Sequence, residues 1–431
     1  MAKYVPETII SVTILLTVGL LLLINKSFSE LKLLQKLLPE YSWLIHGIQN
    51  ILGYSTVFIP GYLIFKYTRK INYLERPGNT TFSFIIRACF GYEELPDHTT
   101  ASPVLATPNK GLLYDAFLLT FYFLGLQVSY LVWGVLQEKV MTQDYTNSLG
   151  EKGRFKDSQF LVFVNRILAF TLSGLIIACT RQPRHKAPLY KYVYCSFSNI
   201  MSSWCQYEAL KYVSFPHQVL AKAAKTIPVM IMGKIVSKTT YEFYEYVTAS
   251  ILSLGMLFFM LNSGDENNGS RTTTFFGILL LCSYVIFDSF TSNWQGVLFK
   301  QYGMSSLQMM CAINLFSCTF TAVSLLQQGS LISSFNFMTQ FPKFCFDCVL
   351  LSVCSAGGQL FIFKTISTFG PLVFAIITTI RQGFSILLSC VIYHHKISLF
   401  GVFGIFLVFL SIFLRIYCSY RIRKRKKPIV G

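Results

Sequence analysis

The chain has 431 residues, of which 53% are hydrophobic and 13% charged, and its mean hydropathy is +0.51. Ordinary soluble domains carry roughly 25% charged residues, so this composition implies a polytopic membrane protein and leaves no stretch for a sizeable soluble domain. The formal charge of +18 is spread over short loops and the tail Arg421–Lys427, a distribution that orients membrane helices and argues against binding a nucleic-acid polymer.

In chain order, the apolar runs 8–25 and 43–65 are two N-terminal hydrophobic helices within a segment 1–70. The first lacks a strong basic leader and a small-residue cleavage site, which favours an uncleaved anchor over a signal peptide. Between the two, Leu31–Leu38 has the apolar spacing of an interfacial amphipathic helix. The polar stretch of roughly 66–111 shows no periodic core pattern, and 71–111 reads as a cytosolic linker. Ten apolar windows long enough to cross a bilayer follow, at about 112–136, 159–180, 190–213, 217–236, 243–262, 273–294, 305–327, 346–367, 371–394 and 398–418. They divide as five helices in 112–263 and five in 272–418, ahead of a basic cytosolic tail, 419–431.

Loop charge sets the orientation. Arg181, Arg184 and Lys186, the pair Lys234 and Lys238, and the tail are the most basic connections, so they are placed in the cytosol. Alternation then puts the Asn268-Gly-Ser270 sequon in the lumen and leaves Asn79-Thr-Thr81 in the cytosol. The loop 139–156 is also basic yet comes out lumenal, against the trend. Twelve cysteines lie mainly in apolar runs. The CxxC at Cys345–Cys348 reads as two small residues at a helix end, with a lumenal disulfide or metal site as the alternative.

A repeat supports the division into halves. The run from Ser203 to Phe215 aligns with that from Ala356 to Phe369, pairing Gln206 with Gln359 and Lys211 with Lys364; with two or three inserted residues, Lys225 falls against Arg381. Five is odd, so the halves must be inverted in the membrane, a common transporter design.

Cations inside the apolar runs carry the functional signal. A lysine or arginine at mid-bilayer costs roughly 2.5–3.5 kcal/mol on insertion scales, and such residues mostly face polar cavities. Lys222 and Lys225 are three apart and share a helix face. Either they hold an anionic substrate, or one of them pairs with a carboxylate such as Glu208 or Asp288 and only ties helices together. Pro228 follows within a turn and is expected to loosen the helix beside them. Arg381 adds a planar fork of donors suited to phosphate or sulfate oxygens. Around Asp288, the segment Tyr284–Gln295 offers Ser292, Asn293 and Gln295 to read a base or ribose edge and Tyr284 or Trp294 to stack on a ring; capping and interfacial anchoring explain it equally well. Asn314, Tyr207 and Glu208 are further candidates for a cavity wall. Six histidines supply no HExxH motif, and there is no intramembrane carboxylate dyad and no Walker loop. No catalytic residue, metal site or cofactor is therefore expected, and transport should be secondary.

The motifs Tyr130–Glu138, Arg181–His185, Ser203–Lys211, Gln218–Met230, Phe287–Gln295 and Gly358–Phe363 together resemble the nucleotide-sugar transporter superfamily, in particular its branch that carries adenosine 3'-phospho 5'-phosphosulfate (PAPS). The resemblance runs from about 130 to 382, and the helical pattern extends it to about 418. It implies an all-α drug/metabolite-transporter fold of ten core helices in two inverted five-helix repeats, set in a Golgi membrane. It further implies delivery of PAPS from cytosol to lumen for sulfotransferases. Lys222, Lys225 and Arg381 are then the expected phosphate-holding cations, with Lys211 and Lys364 as rim or helix-end cations. Adenosine 3',5'-bisphosphate or AMP suits the role of counter-substrate by charge and shape. Related adenine-nucleotide exchangers carry a second cation after the arginine, where this chain has Gln382; that departure speaks against plain ATP/ADP exchange, and an ATP/ADP or nucleotide-sugar exchanger of the secretory pathway stands as the alternative.

Overall fold

A computed structural model describes residues 5–30, 42–73, 81–91, 112–142, 157–180, 187–209, 225–261, 275–378 and 399–426, with scattered positions between them that include 221–222 and 380–381. Nearly all of the described chain is helical. Among the described residues six helices are long and apolar enough to cross a bilayer, at Gly47–Lys70, Ala116–Gln137, Gln159–Cys179, Phe275–Tyr302, Ser306–Gln328 and Pro342–Phe369, and three shorter apolar helices accompany them. Helices suit this setting because their backbone groups are satisfied within the segment. The chain divides into two compact units, each assembled from three separate stretches of sequence.

The first unit takes in 1–108, 132–200 and 302–360. Its helices are α1 (Val5–Glu30), α2 (Ser42–Lys70), α3 (Thr81–Phe90), the end of α4 (Leu112–Thr142), α5 (Ser158–Cys179) and most of α6 (Tyr190–Ala209). From the C-terminal half come α10 (Ser306–Gln328), α11 (Ser330–Gln340) and most of α12 (Pro342–Phe369). At the centre, α10 packs against α5 and α2. It begins with a capping box in which the Ser305 hydroxyl accepts from the Gln308 amide N–H and the Gln308 side chain accepts from the Ser305 N–H, both at 3.2 Å. Gly329 ends it in the left-handed conformation, at φ 69°.

A polar seam joins α2 to α10: the Gln328 amide donates to Asn50 Oδ1 at 2.8 Å, and the Ser324 hydroxyl reaches the same oxygen at 3.3 Å. At Gly53 the backbones come so close that a Cβ would sit 2.9 Å from Ser324 Cβ. Small residues that permit close approach, with amides and hydroxyls bonding across, are how membrane helices associate when apolar burial gives little net drive.

Three elements of this unit escape the hydropathy pattern. The polar linker contains α3, whose Ile86 packs on Ile10 and Tyr73; at 10 residues it is too short to stand out by periodicity. The loop after α4 holds a hairpin in which β1 (Tyr145–Thr146) pairs antiparallel with β2 (Lys152–Gly153). The hairpin region is fastened to α12, since the Tyr145 hydroxyl donates to Asp347 Oδ2 at 3.1 Å and Lys139 meets the same oxygen at 2.7 Å. Burial, together with the neighbouring Asp347 charge, pushes the Tyr145 phenol well above its usual range, so it stays a donor. Third, α11 turns off α10 after Gly329, and Ser334 donates from it to the N-cap carboxylate of α5, Asp157, at 3.1 Å.

The second unit takes in 109–131, 201–301 and 361–431. It holds most of α4, α7 (Thr226–Val236), α8 (Phe243–Leu261), α9 (Phe275–Tyr302), the helical segment 371–378 and α13 (Leu399–Lys426). Helices α8 and α13 form a long pair. A Cβ at Gly255 would lie 2.9 Å from the Gly404 carbonyl oxygen, Ser411 donates to the Thr248 carbonyl at 2.7 Å, and Arg415 meets Glu245 at 3.4 Å. α13 also runs on to Lys426, so much of the stretch read as a tail from 419 is helix. The proposed interfacial helix Leu31–Leu38, the sequon at Asn268 and most of the window 371–394 lie outside the described residues.

Candidate substrate-binding site

The second unit gathers three of the cations singled out in the sequence. Lys225 stands at the N-terminal edge of α7, with helical angles of φ −64° and ψ −14°, and its carbonyl accepts from the Val229 N–H at 3.0 Å. Pro228 falls in the first turn of α7, where the missing N–H has no partner to lose, so at this position proline starts a helix. A helix thus begins beside the cation, and its positive end favours an anion in the same place.

Lys225 is 3% exposed. Its ammonium lies 3.2 Å from Asp288 Oδ2 and 4.6 Å from the centre of the Phe374 ring. Both partners are delivered by neighbouring helices. Asp288 projects from α9 one turn after Tyr284, which is itself buried. Phe374 belongs to the helical segment 371–378, set by the Gly370-Pro371 junction. Gly370 closes α12 at φ 86°, a conformation that suits glycine, and its carbonyl accepts from the Phe374 N–H as the next helix begins. That helix packs through Leu372 and Ile376 on Met230 of α7 and Ala249 of α8. Of the two sequence readings of the lysines, helix pairing therefore holds part of the truth: Asp288 on α9 partners Lys225 at the start of α7. Stripping one partner from a fully buried pair costs about 3–5 kcal/mol, and less where, as with Asp288 at 28% side-chain exposure, one side still meets solvent.

Lys222 is half-buried in the helical pair 221–222. The charges of Arg381, Lys225 and Asp288 all act on it. Arg381, also half-buried, lies with its guanidinium carbon 5.4 Å from the centre of the Tyr130 ring on α4, and Tyr284 is a further electrostatic neighbour. Three cations, one carboxylate and the rings of Tyr130, Tyr284 and Phe374 thus form one electropositive, aromatic cluster. Such a cluster can hold phosphate or sulfate oxygens and offers ring faces to a base.

The other candidates are placed differently. Asn293 ties α9 to α7, its amide donating to the carbonyls of Val229 and Ser289 at 2.9 Å each. Trp294 stacks on Phe290 at 5.8 Å. Gln206 is half-buried on α6 and Lys364 is exposed on α12. Asn314 and Gln359 belong to the first unit, where the Asn314 amide donates to Gln359 Oε1 at 2.9 Å. Lys211 and Gln382 lie outside the described residues. Sequence reasoning passed over Phe374 and Tyr130 as ring partners of the cations, because an aromatic residue in an apolar helix looks like lipid-facing or core filler until a cation is found against it.

Apolar helices long enough to span a bilayer place the chain in the class of polytopic membrane proteins, and residues 118–419 match the UAA transporter family model. The chain belongs to that family, and it is a transporter, not an enzyme. It is 54% identical to adenosine 3'-phospho 5'-phosphosulfate transporter 1 of Drosophila melanogaster over 413 residues, 94% of this chain and 89% of that one. To the human protein of the same name it is 49% identical over 390 residues, 90% of each chain. It is also 39% identical to UDP-galactose/UDP-glucose transporter 5B of Arabidopsis thaliana, over 68% of this chain and 85% of that one.

Proposed function

We propose that this protein carries PAPS from the cytosol into the Golgi lumen by alternating access, exchanging it for a nucleotide such as adenosine 3',5'-bisphosphate or AMP. The observation that carries the reading is the cluster of Lys222, Lys225 and Arg381 around Tyr130 and Tyr284. PAPS bears a 3'-phosphate and a 5'-phosphosulfate flanking an adenosine, so it needs several cations and a surface for a purine ring. The relatives' names agree with that chemistry at 49% and 54% identity.

In this reading the ten core helices form two inverted five-helix repeats, 112–263 and 272–418, with Lys225 and Arg381 at matching positions. Gln206, Asn293 and Lys364, of the same unit as that cluster, line or frame the substrate path. The C-terminus, beyond the basic end of α13, faces the cytosol. A UDP-sugar is the second reading, favoured by the plant relative. Purified protein in liposomes decides between them: uptake of labelled PAPS, inhibited by adenosine 3',5'-bisphosphate and indifferent to UDP-galactose, is expected. Uptake of UDP-galactose that PAPS does not inhibit would overturn the proposal.

A further inference from the structure

We infer that Asp288 is a built-in counter-anion that occupies Lys225 when the carrier is empty and yields it to an anionic group of the substrate; the inference rests on the proposed PAPS site. The pair is asymmetric. The Lys225 side chain is 4% exposed, whereas that of Asp288 is 28% exposed, so the cation is the shielded member and the carboxylate is the one with room to leave. Contact is through a single oxygen, Oδ2, at 3.2 Å. Among the described residues Asp288 is the only hydrogen-bonding partner of the Lys225 ammonium, which also faces the Phe374 ring. An ammonium has three protons to donate. The carboxylate engages one, leaving the others to a phosphate or sulfate oxygen arriving beside α7.

Lys222 and Arg381 act on the same spot from the same unit. The empty site thus holds an excess of positive charge that Asp288 offsets in part and a multiply charged anion offsets in full. An exchanger that must bring its empty site across an apolar interior is held back by an uncompensated cation. Asp288 relieves that restraint, and its competition for Lys225 lowers the affinity for substrate. The carboxylate thereby sets the balance between exchange and net transport. It is a positioning residue acting through Lys225.

The test compares wild type with Asp288→Asn and Asp288→Glu in two measurements: thermal stabilisation by PAPS, and PAPS uptake into liposomes preloaded with adenosine 3',5'-bisphosphate or left empty. Asp288→Asn is expected to bind PAPS tighter by about fivefold or more, in the range of ordinary coupling between two ligands of one site. Its uptake into empty liposomes should fall by a similar factor relative to exchange. Asp288→Glu, which keeps a carboxylate, should restore the wild-type ratio. If Asp288→Asn denatures when ligand-free, PAPS added during solubilisation should recover it. Unchanged affinity and ratio, weaker PAPS binding, or failure of PAPS to recover an unstable variant would each overturn the inference. Should wild type respond to UDP-galactose or ATP and not to PAPS, the substrate reading falls instead, and the same comparison made with that nucleotide decides the role of Asp288.

Discussion

Arg381 and Lys225 differ in what their loss exposes. Arg381 rests on the Tyr130 ring at 5.4 Å and presents a planar fork to any phosphate or sulfate that enters. Arg381→Lys retains charge but loses the fork, so its PAPS uptake should fall by about tenfold or more while the folded protein is recovered in normal yield; measured uptake and size-exclusion profiles check this. Replacing Lys225 removes the shielded cation and leaves Asp288 with partial access to solvent. Lys225→Gln is therefore expected to destroy PAPS binding with a stability loss below the roughly 3–5 kcal/mol of a fully buried pair, read as a modest drop in Tm. The cations were legible in the sequence because a charge inside an apolar run is anomalous on its own. Asp288 was legible too, as one of two carboxylates offered to the lysines, whereas the ring partners were not: only folding sets Phe374 against Lys225 and Tyr130 against Arg381.

At the scale of elements, close approach and cross-bonding hold the helices where apolar packing alone would not discriminate. The α8–α13 pair closes at Gly255, where a side chain would press on the Gly404 carbonyl and on Leu407. Gly255→Val should cost about 1–3 kcal/mol by overpacking, seen as lower thermal stability of the purified protein, whereas Gly61→Ala, with nothing near the added Cβ, should leave it unchanged. Windows of about 20 apolar residues predicted most of the spanning helices to within a few residues, because length and hydropathy are imposed by the bilayer itself. The short elements were invisible for the opposite reason. The helix α3, the hairpin at 145–153 and α11 owe their form to tertiary partners, Ile10 and Tyr73, Asp347, and Asp157 respectively.

For the molecule as a whole, the N-terminal segment lies before the family-matched region 118–419, yet α2 is built into the first unit. Its Asn50 meets Ser324 and Gln328 of α10, Tyr54 accepts from Gln159 of α5 at 3.4 Å, and Phe58 stacks on Phe320 at 4.9 Å. Removing residues 1–70 would bare those amides and hydroxyls to lipid, where an unsatisfied polar group is costly. The truncated chain is expected to lose most of its monodisperse yield in detergent, and co-expression of residues 1–108 as a separate chain should restore part of it.

Whether PAPS is carried on the cations of the second unit is decided by initial rates of labelled PAPS uptake into liposomes holding wild type, Lys225→Ala or Arg381→Ala at equal protein. Wild type should show saturable uptake, accelerated by internal adenosine 3',5'-bisphosphate, and both variants background rates. Wild-type rates from both variants, or no PAPS uptake by folded wild type, would contradict it.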